Sequence, residues 1–322
     1  MSVNVGVIGL GSIGLRHAGN LLAAGAVVRG FDPAPERRAR LAEIGGTPLE
    51  TRDAAMDGAD AVAVTSPSER HLNDLAAAIG AAKHGFIEKP LASSVDGLPA
   101  ALEEADAKGL CVFAGLNLRF HPAVKAARTL LAEGAMGELL WGRLLASSYL
   151  PDWRPGVDYR KGYAADPRTG GVLFDFIHEF DLAVHLLGSA ETVAAAARRS
   201  GRLELESEDC ADIVLRHGNG VQSVIHVDYI TRPRRRETEI SGTEGMLRLD
   251  LEAGRLTLVN RDGATVEDQS FAIDPNAMYV DEMNAFLSCV RDGAEPACGG
   301  WEALEVLKLV IRARELSGLP VS

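Results

Sequence analysis

The first fourteen residues constrain this chain more than any later stretch. A β-branched run (Val3, Val5, Val7, Ile8) leads straight into Gly9, Gly11 and Gly14, and an apolar helical pattern follows through Leu21 and Leu22. A second apolar run, residues 26–31, stops at Asp32, eighteen residues beyond Gly14. Strand, glycine turn, helix, strand and acid, in that order, form the dinucleotide-binding fingerprint. Gly9 permits the tight turn, Gly11 lets backbone approach a pyrophosphate, and Gly14 lets the helix pack close to the strand. The helix N-terminus, at Ser12 and Ile13, offers free N–H groups and partial positive charge to the phosphates. A carboxylate at Asp32 accepts from a ribose 2′-OH and repels a 2′-phosphate, which favours NAD over NADP. Arg37 and Arg38, a few residues on, keep a 2′-phosphate admissible.

The 322 residues, 47% hydrophobic, suffice for two domains with their own cores. A net charge of −12 argues against nucleic acid as a partner. No apolar stretch approaches the roughly 20 residues of a membrane span, and the first apolar run is a strand rather than a signal peptide. Cys111, Cys210, Cys289 and Cys298 are scattered, which fits reduced thiols in a cytoplasm. Their spacing, and that of the eight histidines, forms no metal-site pattern, and no metal is expected.

Strand-like runs at 3–8, 26–31, 61–64, 85–88 and 111–114 alternate with helical patterns at 12–24, 35–44, 69–82 and 95–108. This alternation predicts a doubly wound parallel sheet, whose ligands bind beyond the carboxyl ends of the strands. After a helix at 122–133 the pattern changes. Runs at 139–149, 192–199, 210–216, 221–228, 237–241, 246–251, 255–259 and 264–271, many divided by turn signals such as Arg261-Asp262-Gly263, predict a largely antiparallel sheet. A helix at 173–187 interrupts it, and helices at 277–291 and 301–316 close the chain. The expected division is a dinucleotide-binding domain over 1–121 and a second α/β domain over 122–322.

Two constellations can carry chemistry. Glu88-Lys89-Pro90 ends a strand, so Glu88 and Lys89 point to opposite faces, and Pro90 restricts Lys89 to extended geometry. An ammonium fixed there can hydrogen-bond a substrate hydroxyl; the plainer reading is a surface lysine at a strand end. In the segment 169–181, Leu173, Phe176, Phe180 and Val184 recur at helical spacing. Asp175, His178 and Asp181 then fall along one side of the helix, where an aspartate can orient a histidine as general base. The plainer reading is a capping acid beside a packed histidine. Asn117 and Arg119 follow a strand and should line a cleft, while Trp153, Tyr159 and Arg160 suit a substrate-side loop. Arg232, Arg234, Arg235 and Arg236 form a basic run that reads as a solvated strand face, or as a contact to an acidic substrate or a neighbouring subunit.

The ordered set is more telling than its parts. The glycine turn with Asp32, Thr65-Ser66-Pro67 with His71, Glu88-Lys89-Pro90, Asn117-Leu-Arg119-Phe120-His-Pro122, Gly170-Gly-Val-Leu-Phe-Asp175 with His178, and Gly242-Thr243-Glu244-Gly245 resemble the Gfo/Idh/MocA family over essentially the whole chain. The resemblance implies a Rossmann domain followed by an α+β domain with an open, mostly antiparallel sheet, through which family members often form dimers or tetramers. It implies NAD or NADP, a sugar, cyclitol or sugar derivative as substrate, and hydride transfer at a secondary hydroxyl or ketone. Lys89, Asp175 and His178 become the catalytic group. Gly9, Gly11, Ser12, Ile13, Gly14, Asp32, Ser66, Pro67, His71, Glu88 and Lys89 become the cofactor side, and Asn117, Arg119, Trp153 and Tyr159 join the catalytic group on the substrate side. Better-known members place the histidine four residues after the aspartate. Here His178 lies three after Asp175, and Glu179 takes the fourth place as a rival base. This His-Glu-x-Asp form, and the segment from Tyr149 to Arg160, resemble a branch linked to sugar and sialic-acid-type metabolism. The family also admits a redox-assisted glycosidase and a dinucleotide-binding regulator without turnover.

Overall fold

The computed structural model describes residues 2–321. Contacts divide them into two compact units: the chain through Asn117 together with Pro275–Glu305, and Leu118–Asp274 together with the chain from Val306 on.

The first unit alternates strand and helix: β1 (Asn4–Ile8), α1 (Ser12–Ala23), β2 (Val27–Phe31), α2 (Pro35–Glu43), β3 (Thr47–Pro48), α3 (Arg52–Met56), β4 (Ala61–Val64), α4 (His71–Gly80), β5 (His84–Glu88), α5 (Leu98–Ala107) and β6 (Val112–Gly115). All strand pairs are parallel, in the order β3-β2-β1-β4-β5-β6. This is the doubly wound order, with its switch point between β1 and β4. Helices cover both faces, so the central strands are apolar throughout; Ala61, Val62, Ala63 and Val64 are all buried. The two-residue β3 and five-residue α3 add to the expected elements, because neither is long enough to show a period. The helix expected from 69 starts at His71 after a short 3-10 turn, and that expected from 95 starts at Leu98, behind Gly97 with φ +80°.

The second unit contains α6 (Pro122–Ala132), β7 (Leu139–Ser147), α7 (Val172–Asp175), α8 (Ile177–Leu187), β8 (Ala190–Arg198), β9 (Cys210–His217), β10 (Gln222–Asp228), β11 (Arg235–Gly242), β12 (Gly245–Asp250), β13 (Arg255–Asn260) and β14 (Thr265–Ser270). Its eight strands run in the order β14-β13-β12-β11-β7-β10-β9-β8, antiparallel except for the β7–β10 pair. Strict alternation along β9 and β10 buries Ala211, Ile213, Leu215, Ile225 and Val227 on one face. α6, α7 and α8 pack against this sheet. The single helix expected over 173–187 is two helices, α7 and α8, broken at Phe176 (φ −95°, ψ 29°).

Two helices end the chain, α9 (Ala277–Asp292) and α10 (Gly300–Leu316). The sequence pattern puts everything after 121 in the second domain. By contacts, however, α9 sits with the first unit, packed on α1, where Asn20 and Asn276 exchange amide hydrogen bonds of 2.9 and 3.3 Å. The division between the units falls within α10.

Candidate active site

In the first unit the glycine turn is built as its spacing demands. Gly9 has φ +93°, and a Cβ there would stand 2.6 Å from the Thr65 carbonyl oxygen. A Cβ on Gly14 would stand 2.0 Å from the Gly9 oxygen, so the helix approaches the turn only without a side chain. At Gly11 a Cβ would meet nothing within 4 Å. The space above this turn is open, at the N-terminus of α1, where Gly11 provides no side-chain cap. These residues fit a bound dinucleotide, whose phosphates would take the uncapped N–H groups at Ser12 and Ile13.

Asp32, 2% exposed at the end of β2, accepts from Leu10 N at 2.8 Å and from Ala34 N at 2.9 Å, so it joins the glycine turn to the second strand. Arg37 reaches it at 3.3 Å, while Arg38 is held by the Asp32 and Pro33 carbonyls and by Glu50. Thr65 Oγ1 donates toward the Ile8 and Gly9 oxygens, fixing the end of β4 to the same turn.

The end of β5 is held from both sides. The His71 ring nitrogens lie 2.7 Å from the oxygens of Pro90 and Ser66, so one buried imidazole bridges the segments after β4 and β5. Pro67 caps the short turn before His71, and Ser66 donates to Asp74. Glu88 folds back along its own strand: Oε2 accepts from the Lys89 N–H at 2.9 Å, and Oε1 lies 2.6 Å from His17 Nε2. Burial alone would raise the Glu88 pKa, but the His17 hydrogen bond and charge, with the Lys89 charge and N–H, bring it below the usual value. Glu88 is therefore a carboxylate that orients the Lys89 backbone rather than a simple partner of its ammonium. His17 carried no signal in the sequence beyond its place on the inner face of α1.

In the second unit Asp175 ends α7 and is buried. Its Oδ1 accepts from the Tyr163 hydroxyl at 2.7 Å, and its Oδ2 from the Tyr229 hydroxyl at 2.5 Å. Burial, and then the Asp175 charge, push the Tyr229 hydroxyl well above the usual value, so it stays a donor. Sequence reasoning missed both tyrosines: Tyr229 follows β10, 54 residues beyond Asp175, and Tyr163 starts a short 3-10 turn 12 residues before it. Trp153 and Tyr159 line a pocket with Val157, Tyr163 and Ala164 in this unit, so both stand beside a hydroxyl that holds Asp175.

The break at Phe176 interrupts the helix on which the i, i+3, i+6 row was expected, leaving Asp175 on α7 and His178 and Asp181 on α8. His178 lies in the first turn of the new helix. Glu179 is 1% exposed and takes Arg236 at 2.7 and 3.3 Å. The rival base named by the sequence is thus ion-paired with Arg236. Asp181, fully buried, pairs with Arg119 at 2.5–3.1 Å. The guanidinium expected to line a cleft thus has an internal partner. Asn117 is buried at the start of the turn before α6. The basic run is likewise accounted for. Arg232 pairs with Asp152 over the Tyr149 ring, and Arg234 pairs with Glu252; Arg235 takes Glu237 and Arg236 takes Glu179.

Comparison with known proteins settles the family. Residues 3–116 match the family described as "Oxidoreductase family, NAD-binding Rossmann fold", and residues 124–248 match the "GFO/IDH/MocA C-terminal domain". D-apiose dehydrogenase of Paraburkholderia graminis is 31% identical over 265 residues, covering 77% of this chain and 68% of that protein. The chain belongs to the GFO/IDH/MocA oxidoreductases. As a member it has the family's NAD-binding Rossmann domain, residues 3–116, followed by the family's C-terminal domain. Inositol 2-dehydrogenase of Rhizobium meliloti is 27% identical over 325 residues, covering 96% of this GFO/IDH/MocA chain and 95% of that one. Among solved structures, levoglucosan dehydrogenase in complex with NADH and levoglucosan matches with a TM-score of 0.89 at 20% identity, over 99% of this chain and 98% of that chain. Among the described residues no helix is long and apolar enough to cross a membrane.

Proposed function

We propose that this GFO/IDH/MocA oxidoreductase is an NAD-dependent dehydrogenase that interconverts a secondary hydroxyl and a ketone on a sugar, cyclitol or sugar derivative. Curated relatives named for D-apiose and inositol dehydrogenation support the substrate class. The observation that carries the catalytic reading is the care spent on orienting two groups. Lys89 is fixed by Glu88, by Pro90 and by the His71 bridge. Asp175 is fixed by two tyrosine hydroxyls beside the pocket lined by Trp153 and Tyr159.

In this reading NAD supplies the hydride acceptor, and the chain supplies position and protons. Lys89 donates a hydrogen bond to the substrate oxygen. His178 accepts the hydroxyl proton, which suits an imidazole near neutral pH. Asp175, held by its two hydroxyl donors, stabilises the histidine once it is charged. Asp32 reads the ribose 2′-OH and discriminates against NADP. Asn117 and Arg119 shape the substrate side, Arg119 through Asp181. A second copy of the chain covers the open sheet face, where Trp141 and Val224 are exposed at 38% and 43%, giving a dimer or tetramer. The four free cysteines suit a cytoplasmic location.

The test is NADH formation, followed by its absorbance, with NAD and a panel of aldoses, cyclitols, uronic acids and amino sugars. Lys89→Ala should lower turnover on the active compound by about 10²–10⁴ while NADH binding, read by fluorescence, stays intact. Undiminished turnover in that variant would remove Lys89 from the mechanism.

A further inference from the structure

The open face of the eight-stranded sheet brings together residues that are far apart in sequence. On β9, Cys210 and Asp212 point to this face; on β10, His226 and Asp228 do. The antiparallel register sets Asp212 opposite His226 and Cys210 opposite Asp228. One ligand atom from each of Cys210, Asp212 and His226 lies within 4.8 Å of the others. His226 Nδ1 is 2.7 Å from Asp212 Oδ1, and Nε2 is 3.1 Å from Asp228 Oδ2. Asp228 itself is anchored by the N–H groups of Ile230 and Thr231 and by the Thr231 hydroxyl. In the parallel register with β7, Ser147 stands next to Asp228 in the same row, its hydroxyl buried and without a partner.

We propose that Cys210, Asp212 and His226 form a binding site for one borderline divalent transition ion, of which zinc is the type. Thiolate, imidazole and carboxylate together select zinc or cobalt over magnesium or calcium. Tetrahedral coordination at about 2.0–2.3 Å places ligand atoms roughly 3.3–3.8 Å apart, so atoms within 4.8 Å of one another need to close by only about 1 Å. His226 Nδ1 ligates in place of its contact to Asp212, whose carboxylate moves onto the ion. Nε2 keeps its hydrogen bond to Asp228, which becomes the buried carboxylate that orients a metal-bound histidine. Water completes the fourth position beside the Asp212 carboxylate, whose side chain is 62% exposed in the single chain. Metal binding releases the thiol proton, and the proton of any charged imidazole, to solvent.

Asp228, the carboxylate that orients His226, is adjacent in the chain to Tyr229, whose hydroxyl holds Asp175. Its test does not depend on catalysis. The full-length protein, stripped with a chelator, is titrated with cobalt(II). We expect one equivalent per chain to give a thiolate-to-cobalt charge-transfer band that zinc abolishes, and zinc to raise the melting temperature. Cys210→Ser should remove the band with the other three cysteines present. Asp212→Asn, at an exposed position that leaves the core untouched, should weaken cobalt binding at least about tenfold. No band, a band that survives Cys210→Ser, or affinity unchanged in Asp212→Asn would overturn the site.

Discussion

Asp181 in the second unit and Glu282 in the first are equally deep, each fully buried, yet they are held in opposite ways. Asp181 faces the guanidinium of Arg119 across charge-assisted hydrogen bonds. Glu282, on α9, has no hydrogen-bond partner on either oxygen, and neither does the buried Nδ1 of His17. His17, Glu88, Tyr279 and Glu282 share one pocket of the Rossmann core. His17 packs edge-on against Tyr279 at 5.8 Å, and Glu88 and Glu282 repel one another. A second carboxylate beside ionised Glu88 is not sustained in such a medium, so burial and the Glu88 charge push Glu282 well above the usual carboxylate value and keep it neutral. Asp181 is neutralised by a cation, Glu282 by a proton. The second solution leaves the single negative charge on Glu88, where it orients Lys89.

The sharpest way to break this contrast is to remove the cation. Arg119→Met leaves Asp181 charged and buried with its main partner gone, which should cost about 3–5 kcal/mol and appear as a large fall in melting temperature. The double substitution Arg119→Met with Asp181→Leu should recover most of that loss, because an apolar pair of similar volume replaces the ion pair. If the double variant is no more stable than the single one, the pair is not the unit of stabilisation. The same experiment separates a structural Arg119 from one that touches substrate: the stable double variant should keep the Michaelis constant within a few-fold of the parent.

A smaller effect is expected where the partner of a buried acid is a hydroxyl. Tyr229→Phe deletes the donor to Asp175 Oδ2 but preserves the ring, which packs against Trp153 and Phe176 at 5.4 and 5.8 Å. A hydrogen bond to a charged group is worth about 1.5–3 kcal/mol, so turnover should fall roughly 10- to 150-fold if Asp175 supports the base. The loss should be larger than in Tyr163→Phe, whose ring is 55% exposed and whose hydrogen bond competes with water. Equal losses in both variants, or none, would show that the two tyrosines do not set the aspartate.

These partners mark where the sequence stops being informative. The Rossmann unit was legible because its signals are local: Gly9 and Gly14, five residues apart, answer steric demands of the turn, and period-two and helical patterns name the strands and helices around them. The second sheet was legible from alternation, with its strand ends shifted by a residue or two. The break at Phe176 was not, because apolar spacing across it stays helical while Asp175 is drawn to two tyrosines from elsewhere in the chain. Nor were the pairs Arg119–Asp181, Arg236–Glu179 and His17–Glu88, each bridging 57 or more residues. Charge complementarity between distant segments leaves no periodic trace, so the Arg236 partner of Glu179 could not be read from the sequence.

The gentlest probe of the comparison is the pH dependence of stability in Glu282→Gln. Below the unfolded carboxylate value of about 4.3, Glu282 is protonated in both folded and unfolded chains and contributes no slope. Above it the unfolded chain releases a proton that the folded chain retains, because the folded value is raised. Stability therefore falls with rising pH, by about 1.4 kcal/mol per unit for this group, until the folded acid itself ionises. The substituted amide cannot ionise, so the variant should gain on the parent by about that amount between roughly pH 5.5 and 6.5 when melting is compared at the two values. A group neutralised by a cation has the reverse sign: its contribution is present above the unfolded value and lost in acid. Parallel curves for parent and variant would mean that Glu282 is ionised in the folded protein, and the first unit would then carry two buried charges beside Lys89 rather than one.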